Sequence, residues 1–203
     1  SVSGNVTHTL SPFNSSLSEF ELDAEDMDIH RVRLNGKDIS YNHHGEKVFL
    51  SLSKPIGWDD TIKVRLDYTA YPRRGTFFIA PDSVYPGKPW QAWTQGEDTD
   101  NHHWVPIYDY PNDKATFETI LTVDKKFMAI SNGELMSLKE NKDGTHTWHW
   151  HEHFPMVSYL ISYVIGEFEK VEDSYNGIPV NYWVYDENKK EALRSFGLTP
   201  DMM

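Results

Sequence analysis

Cysteine is absent from the 203 residues. That excludes disulfides, thiolate metal sites, iron–sulfur clusters and a cysteine nucleophile. It leaves the compartment open, because a secreted protein need not carry disulfides. Positive charge is scarce: 19 Lys and Arg stand against 31 Asp and Glu, a formal charge of −12. Nucleic-acid surfaces need clustered Lys and Arg to neutralise phosphates, so no nucleic-acid partner is expected. Long apolar runs are missing too. The most apolar stretch, Met156 to Gly166, has eleven residues and is interrupted by Ser158, Tyr159, Ser162 and Tyr163. A membrane span takes about 20 apolar residues, so no membrane segment is expected in this chain. No basic-then-apolar leader opens the sequence, which starts at Ser1; the expectation is a piece of something longer.

What is present is aromatic residues, at 14%, and a hydrophobic period of two almost everywhere. Glu19 to Ala24 alternates acid with apolar, the signature of a strand with one wet face. Six acids fall between Glu19 and Asp28, and they read as a solvated strand face rather than a cation site. Asn35-Gly36 between His30–Leu34 and Lys37–Tyr41 predicts a hairpin with a primed turn. His43-His44-Gly45 predicts the next turn and Lys47–Leu52 the next strand. In Thr61–Ala70, Ile62, Val64, Leu66 and Tyr68 should point inward. Further strands are predicted over Ala115–Val123, Phe127–Ser131, Glu134–Leu138, Thr145–His153, Val157–Phe168 and Ile178–Tyr185. Asn132-Gly133 and Asn141–Gly144 supply turns. One helix is predicted, Glu187–Phe196, with Asp186 as its N-cap and Gly197 as its stop; Leu198–Asp201 reads as the lead into another. The fold class is all-β, with large antiparallel sheets and one short C-terminal helix. Residues 1–186 are expected to form the β domain and 187–203 a helix and linker.

Ten histidines call for a metal test. In Thr145–His153, a strand places His149, His151 and His153 on one face and Trp148, Trp150 and Glu152 on the other. Alternate imidazoles can bind zinc; a wet face with the tryptophans in the core is the simpler reading. His151-Glu152 is not a zinc-protease helix motif, which needs His-Glu-x-x-His, and position 155 is Pro. No nucleophile elbow, phosphate-binding glycine loop or dinucleotide fingerprint is present.

Tyr71–Tyr110 is broken by prolines and glycines, and an irregular segment of that length in a compact domain is usually functional. Its second half carries Thr94-Gln95-x-Glu97, then Trp104 and Pro106, Asp109-x-Pro111, and Lys114-Ala115-x-Phe117. Arg74-Gly75-Thr76-Phe77-Phe78 precedes it; Pro155-Met156-Val157-Ser158-Tyr159-Leu160 and Gly166-Glu167-Phe168 follow. In order and spacing these pieces resemble the N-terminal domain of the zinc aminopeptidases of the aminopeptidase N family, over essentially the whole chain. Where family members often carry Cys-x-Asp or Phe-x-Asp, this chain has Ile107-Tyr108-Asp109.

The resemblance implies a saddle-like β domain that contributes a substrate-binding wall to an enzyme removing N-terminal amino acids from peptides. Zinc is implied in the parent enzyme, and the chain's own catalytic domain and a peptide N-terminus are the implied partners. The family's Gly-Ala-Met-Glu-Asn loop and His-Glu-x-x-His helix are not in this sequence, so neither catalytic residues nor zinc is expected here, and this chain alone is expected to be inactive. Glu97 would bind the substrate's α-ammonium and Gln95 would line the first side-chain pocket. Charge argues the same way for Glu97: a loop carboxylate flanked by Gly96 and Gln95 can hold an ammonium through charge-assisted hydrogen bonds. The plainer alternative is that it pairs with a nearby Lys or Arg. Trp104, Asp109 and Pro111 read as residues that shape the loop. The competing functions are a stand-alone β-sandwich that binds carbohydrate on Trp90, Trp93 and Trp104 or binds a protein ligand, and a purely structural interaction domain.

Overall fold

The computed structural model describes residues 1–203. Seven strands come first: β1 (Val2–Leu10), β2 (Leu17–Asp23), β3 (Met27–Leu34), β4 (Lys37–Asp38), β5 (Tyr41–His44), β6 (Lys47–Ile56) and β7 (Ile62–Ala70). After them come β8 (Thr76–Ile79), β9 (Gln91–Thr94), β10 (Lys114–Asp124), β11 (Met128–Ser131), β12 (Glu134–Glu140) and β13 (Thr145–Val157). The chain ends with β14 (Tyr163–Gly166), β15 (Phe168–Tyr175), β16 (Ile178–Tyr185), α1 (Lys189–Phe196) and α2 (Thr199–Met202). Two compact units result. One comprises Ser1–Phe77, Trp93–Phe117 and Glu152–Ser162; the other comprises Phe78–Ala92, Glu118–His151 and Tyr163–Met203.

The first unit is built from two antiparallel sheets, ordered β1-β7-β3-β4 and β2-β6-β5. Alternation decides what they bury. Val64 and Leu66 of β7 pair with Leu34 and Val32 of β3, and Leu22 of β2 pairs with Val48 of β6. Leu22, Val32, Val48, Leu50, Val64 and Leu66 are all withdrawn from solvent, each contributing about 1.5–3 kcal/mol by burial. The Asn35-Gly36 hairpin forms as expected, with both residues at positive φ (49° and 81°), the geometry a primed turn requires.

In the second unit, Trp148 and Trp150 of β13 form a core with Ala129, flanked by Leu121, Val123, Met128, Ile130 and Ile165. The Trp150 indole N–H donates to the Ala129 carbonyl at 3.0 Å. β15 and β16 form a hairpin turned at Asn176-Gly177, and α1 packs on it through buried Ala192 and through Phe196, which is partly exposed and stacks its ring on Tyr182 at 5.4 Å.

Three expectations change. Val157–Phe168 is not one strand: a 3-10 turn at Ser158–Leu160 interrupts it before β14, and the carbonyls it turns aside accept hydrogen bonds from a distant side chain described below. Asp186 does not cap α1. A 3-10 turn at Asp186–Asn188 leads into the helix, whose N-cap is Asn188 without a side-chain bond. Gly197 keeps a right-handed φ of −63°, and residues 199–202 add a further helical turn. No helix is long and apolar enough to cross a membrane.

Candidate functional site

The loop from Thr94 to Asn112 belongs to the first unit and is held from both ends. At its entry, the Gln95 N–H donates to the Gly75 carbonyl at 2.9 Å. Gly75 has φ +72°, and a Cβ there would lie 2.0 Å from the Asp100 carbonyl oxygen, so only glycine fits. Gly96 is equally constrained by space, because a Cβ would come within 2.6 Å of the Asn101 amide.

Asn101 is fully buried and fully paired. Its Nδ2 donates to the Ser158 carbonyl at 2.7 Å and to the Ile161 carbonyl at 3.1 Å. Its Oδ1 accepts the Trp104 indole N–H at 2.8 Å. This is why the chain turns at 158–160 instead of running on as a strand. Trp104 and Asp109 are buried, in keeping with a shaping role, whereas Pro111 is exposed.

On this frame Gln95 and Glu97 are exposed. The Gln95 Nε2 lies 3.5 Å from the Glu97 backbone carbonyl. The Glu97 carboxylate has no hydrogen bond or ion pair in the chain, so the plainer reading of it, a local Lys or Arg pair, does not hold.

The loop's far half holds groups that the sequence did not single out. His102 Nδ1 lies 3.0 Å from Asp109 Oδ2, and the His102 backbone N–H donates to the same oxygen at 3.1 Å. His103 Nδ1 lies 3.1 Å from Asp26 Oδ2. Arg73 Nε donates to Asp26 Oδ1 at 2.9 Å. Burial alone would lower the His102 pKa, but the Asp109 hydrogen bond and the charges of Asp109, Asp23 and Glu25 outweigh it, and the net direction is up. Burial would raise Asp109, and its bonds to His102 bring it below the ordinary range. Asp26 is lowered chiefly by Arg73. The run of acids in β2 and after it is therefore not a plain wet face. Asp23 is buried and accepts the Asp109 N–H at 3.0 Å. The far partners of these side chains come from elsewhere in the sequence, which is why spacing gave no sign of them.

The peptidase M1 N-terminal domain family matches residues 1–160. The chain belongs to that family. Probable aminopeptidase 1 of Saccharolobus solfataricus is 30% identical over 161 residues, covering 79% of this chain and 20% of that protein. Leukotriene A-4 hydrolase of Xenopus laevis is 23% identical over 216 residues, covering 100% of this chain and 34% of that protein. The M1 zinc metallopeptidase of Deinococcus radiodurans shares the fold, with a TM-score of 0.74 at 23% identity over 88% of this chain and 41% of that one. The chain thus spans a minor part of the length of these relatives.

The M1 domain does not itself fit a zinc-peptidase centre. Its only His-Glu pair, His151-Glu152, lies in extended β13, where neighbouring side chains point to opposite faces; the protease motif needs a helix. His149 of the same strand pairs with Glu118, Nε2 to Oε2 at 2.5 Å, while Trp148 and Trp150 face the core. Nor does the domain present the tryptophan platform of a carbohydrate module. Of the three tryptophans named for it, Trp104 is buried, Trp93 is half-buried and stacks on Phe77 at 4.6 Å, and Trp90 is exposed.

Proposed function

We propose that this M1 domain supplies part of the substrate-binding wall of a zinc-dependent aminopeptidase that removes N-terminal amino acids from peptides, in a longer protein whose catalytic domain is its partner. The observation that carries the proposal is a free carboxylate on a braced loop. Glu97 is exposed and uncommitted, while the loop beneath it is fixed by Asn101 and Asp109. A carboxylate held ready costs little reorganisation when a cation arrives, and charge-assisted bonds to an α-ammonium select a peptide's free N-terminus. Gln95, next to it, offers an amide to the wall of the first side-chain pocket. Neither residue moves a proton; they hold and orient the substrate. Zinc in such an enzyme polarises the scissile carbonyl and activates water, and the residues that would bind it are not in this chain. The relatives named as aminopeptidases support the same reading.

The test is steady-state kinetics of the longer protein with free-amine peptides. Glu97→Gln keeps the shape and removes the charge, so kcat/KM should fall by at least ~30-fold, the equivalent of about 2 kcal/mol for a broken charge pair. Wild-type kcat/KM in a folded, zinc-loaded Glu97→Gln enzyme would reject the assignment.

A further inference from the structure

The corner between β2 and β3 and the turn at Asn101–His103 bring three metal-ligating side chains together. One donor atom from each of Glu25, His102 and His103 lies within 4.8 Å of the other two. Glu25 Oε2 is 3.7 Å from the Nε2 of both imidazoles. We propose that Glu25, His102 and His103 form a binding site for one divalent transition-metal ion of the zinc class, clipping the β2–β3 corner to the loop. The site is separate from the role proposed for Glu97 and does not depend on it.

The spacing suits the ion. Bonds of about 2.0–2.1 Å in a tetrahedral centre hold ligands about 3.3 Å apart, so the carboxylate must come about 0.4 Å nearer each imidazole and the two imidazole donors, within 4.8 Å of each other, must close by up to about 1.5 Å. The tautomers suit it as well. Asp109 and Asp26 each take the Nδ1 of one imidazole. A carboxylate behind a histidine fixes Nδ1–H and leaves the Nε2 lone pair for a metal. The two adjacent rings stack, with centroids 4.6 Å apart and planes 26° apart, so both Nε2 atoms reach the same carboxylate.

A second feature leaves a ligating nitrogen available. The His103 side chain is only 6% exposed and borders a pocket, where its Nε2 makes no hydrogen bond within the chain; its nearest carboxylate oxygens stand 3.7 and 4.0 Å away, on Glu25 and Asp100. Glu25 is also divided in a useful way. Its Oε1 faces Arg73 at 3.6 Å, and its Oε2 faces the imidazoles. Two imidazoles and one carboxylate, with no thiolate, favour zinc, cobalt or nickel over the all-oxygen coordination of calcium and magnesium. Glu25 and His103 also line a pocket with Asp26, Glu46, Arg73 and Arg74, from which water can complete the shell.

The experiment is titration of the chelator-stripped 203-residue chain with Co²⁺, followed by Zn²⁺. One Co²⁺ per chain should bind and give a visible d–d band, which Zn²⁺ should bleach, and Zn²⁺ should raise the thermal midpoint. Glu25→Gln and His102→Gln should each weaken binding at least ~10-fold, while His149→Gln should leave it unchanged. Glu25 lies at the accessible side, so its variant, checked by circular dichroism, keeps the test valid if a histidine variant misfolds. Absence of stoichiometric binding at micromolar Co²⁺ would overturn the site and leave a proton-bridged ion-pair network in its place. Unchanged binding by Glu25→Gln, or loss of the band in His149→Gln, would overturn it too.

Discussion

The Asn101 side chain donates to the Ser158 carbonyl at 2.7 Å, joining residues 57 apart in sequence. With the bonds to Ile161 and Trp104, one buried amide closes three contacts. Asn101→Leu takes the side-chain partner from the Ile161 carbonyl and the Trp104 indole N–H, while the Ser158 carbonyl keeps the Ile161 N–H at 3.0 Å; the cost is about 1–3 kcal/mol for each group that water cannot reach. The expected loss is about 2 kcal/mol or more, read from urea unfolding of the two proteins.

Gly75→Ala should be as severe for a different reason. The left-handed conformation costs a non-glycine residue about 1–2 kcal/mol, and the collision with the Asp100 carbonyl adds about 1–3 kcal/mol of overpacking. Gly36→Ala is the control. Its φ is +81°, but a Cβ there meets nothing within 4 Å, so only the conformational cost should appear in its denaturation curve.

Glu97 should separate stability from binding. The side chain is exposed and unpaired, so Glu97→Ala should shift unfolding of this chain by less than ~0.5 kcal/mol. In the longer protein the same change should lower kcat/KM on free-amine peptides by ~30-fold to several-thousand-fold. Asp98→Ala should be mild, and N-acetyl peptides should be indifferent to Glu97. A comparison of the two peptide series in wild type and variant would show it.

His8 gives a pH dependence of known sign. Its Nε2 lies 2.8 Å from the Pro106 carbonyl, and burial pushes its pKa down despite that bond. The unfolded chain therefore takes up the proton first, near pH 6.5. Stability from His8 is full above that pH and is lost as the pH falls towards the folded pKa, by at most ~1.4 kcal/mol per unit. Unfolding of wild type and His8→Gln at pH 7.5 and 5.5 should show the smaller pH effect in the variant.

The sequence was readable wherever a strand's own alternation decided the outcome. β7 buries Ile62, Val64, Leu66 and Tyr68, and β13 turns Trp148 and Trp150 inward, because a period of two admits only one assignment of faces. Asn35-Gly36 worked because its turn is local. β1 escaped notice because Val2–Leu10 is mostly polar and is a strand only because β7 supplies its hydrogen bonds. The break at Ser158–Leu160 was hidden because its cause, Asn101, lies far away in sequence. The same holds at the site. Gln95 and Glu97 stand out by motif, but His102 and His103 acquire meaning only beside Asp26 and Glu25, which the chain brings in from the β2–β3 corner.

The loop has one further consequence, which concerns solubility. β2 is the outer strand of its sheet, order β2-β6-β5, and an outer strand offers unpaired amides to other molecules. At Asp23 the loop occupies them: the Asp23 N–H donates to the Ile107 carbonyl at 2.8 Å, and the Ile107 N–H returns a bond at 3.0 Å. Farther along, Glu19 and Glu21 leave exposed charges, which discourage another strand from joining. Releasing the loop would uncover the buried end of that margin, Leu22-Asp23-Ala24, so loop-breaking variants should come out of solution as aggregates before they unfold.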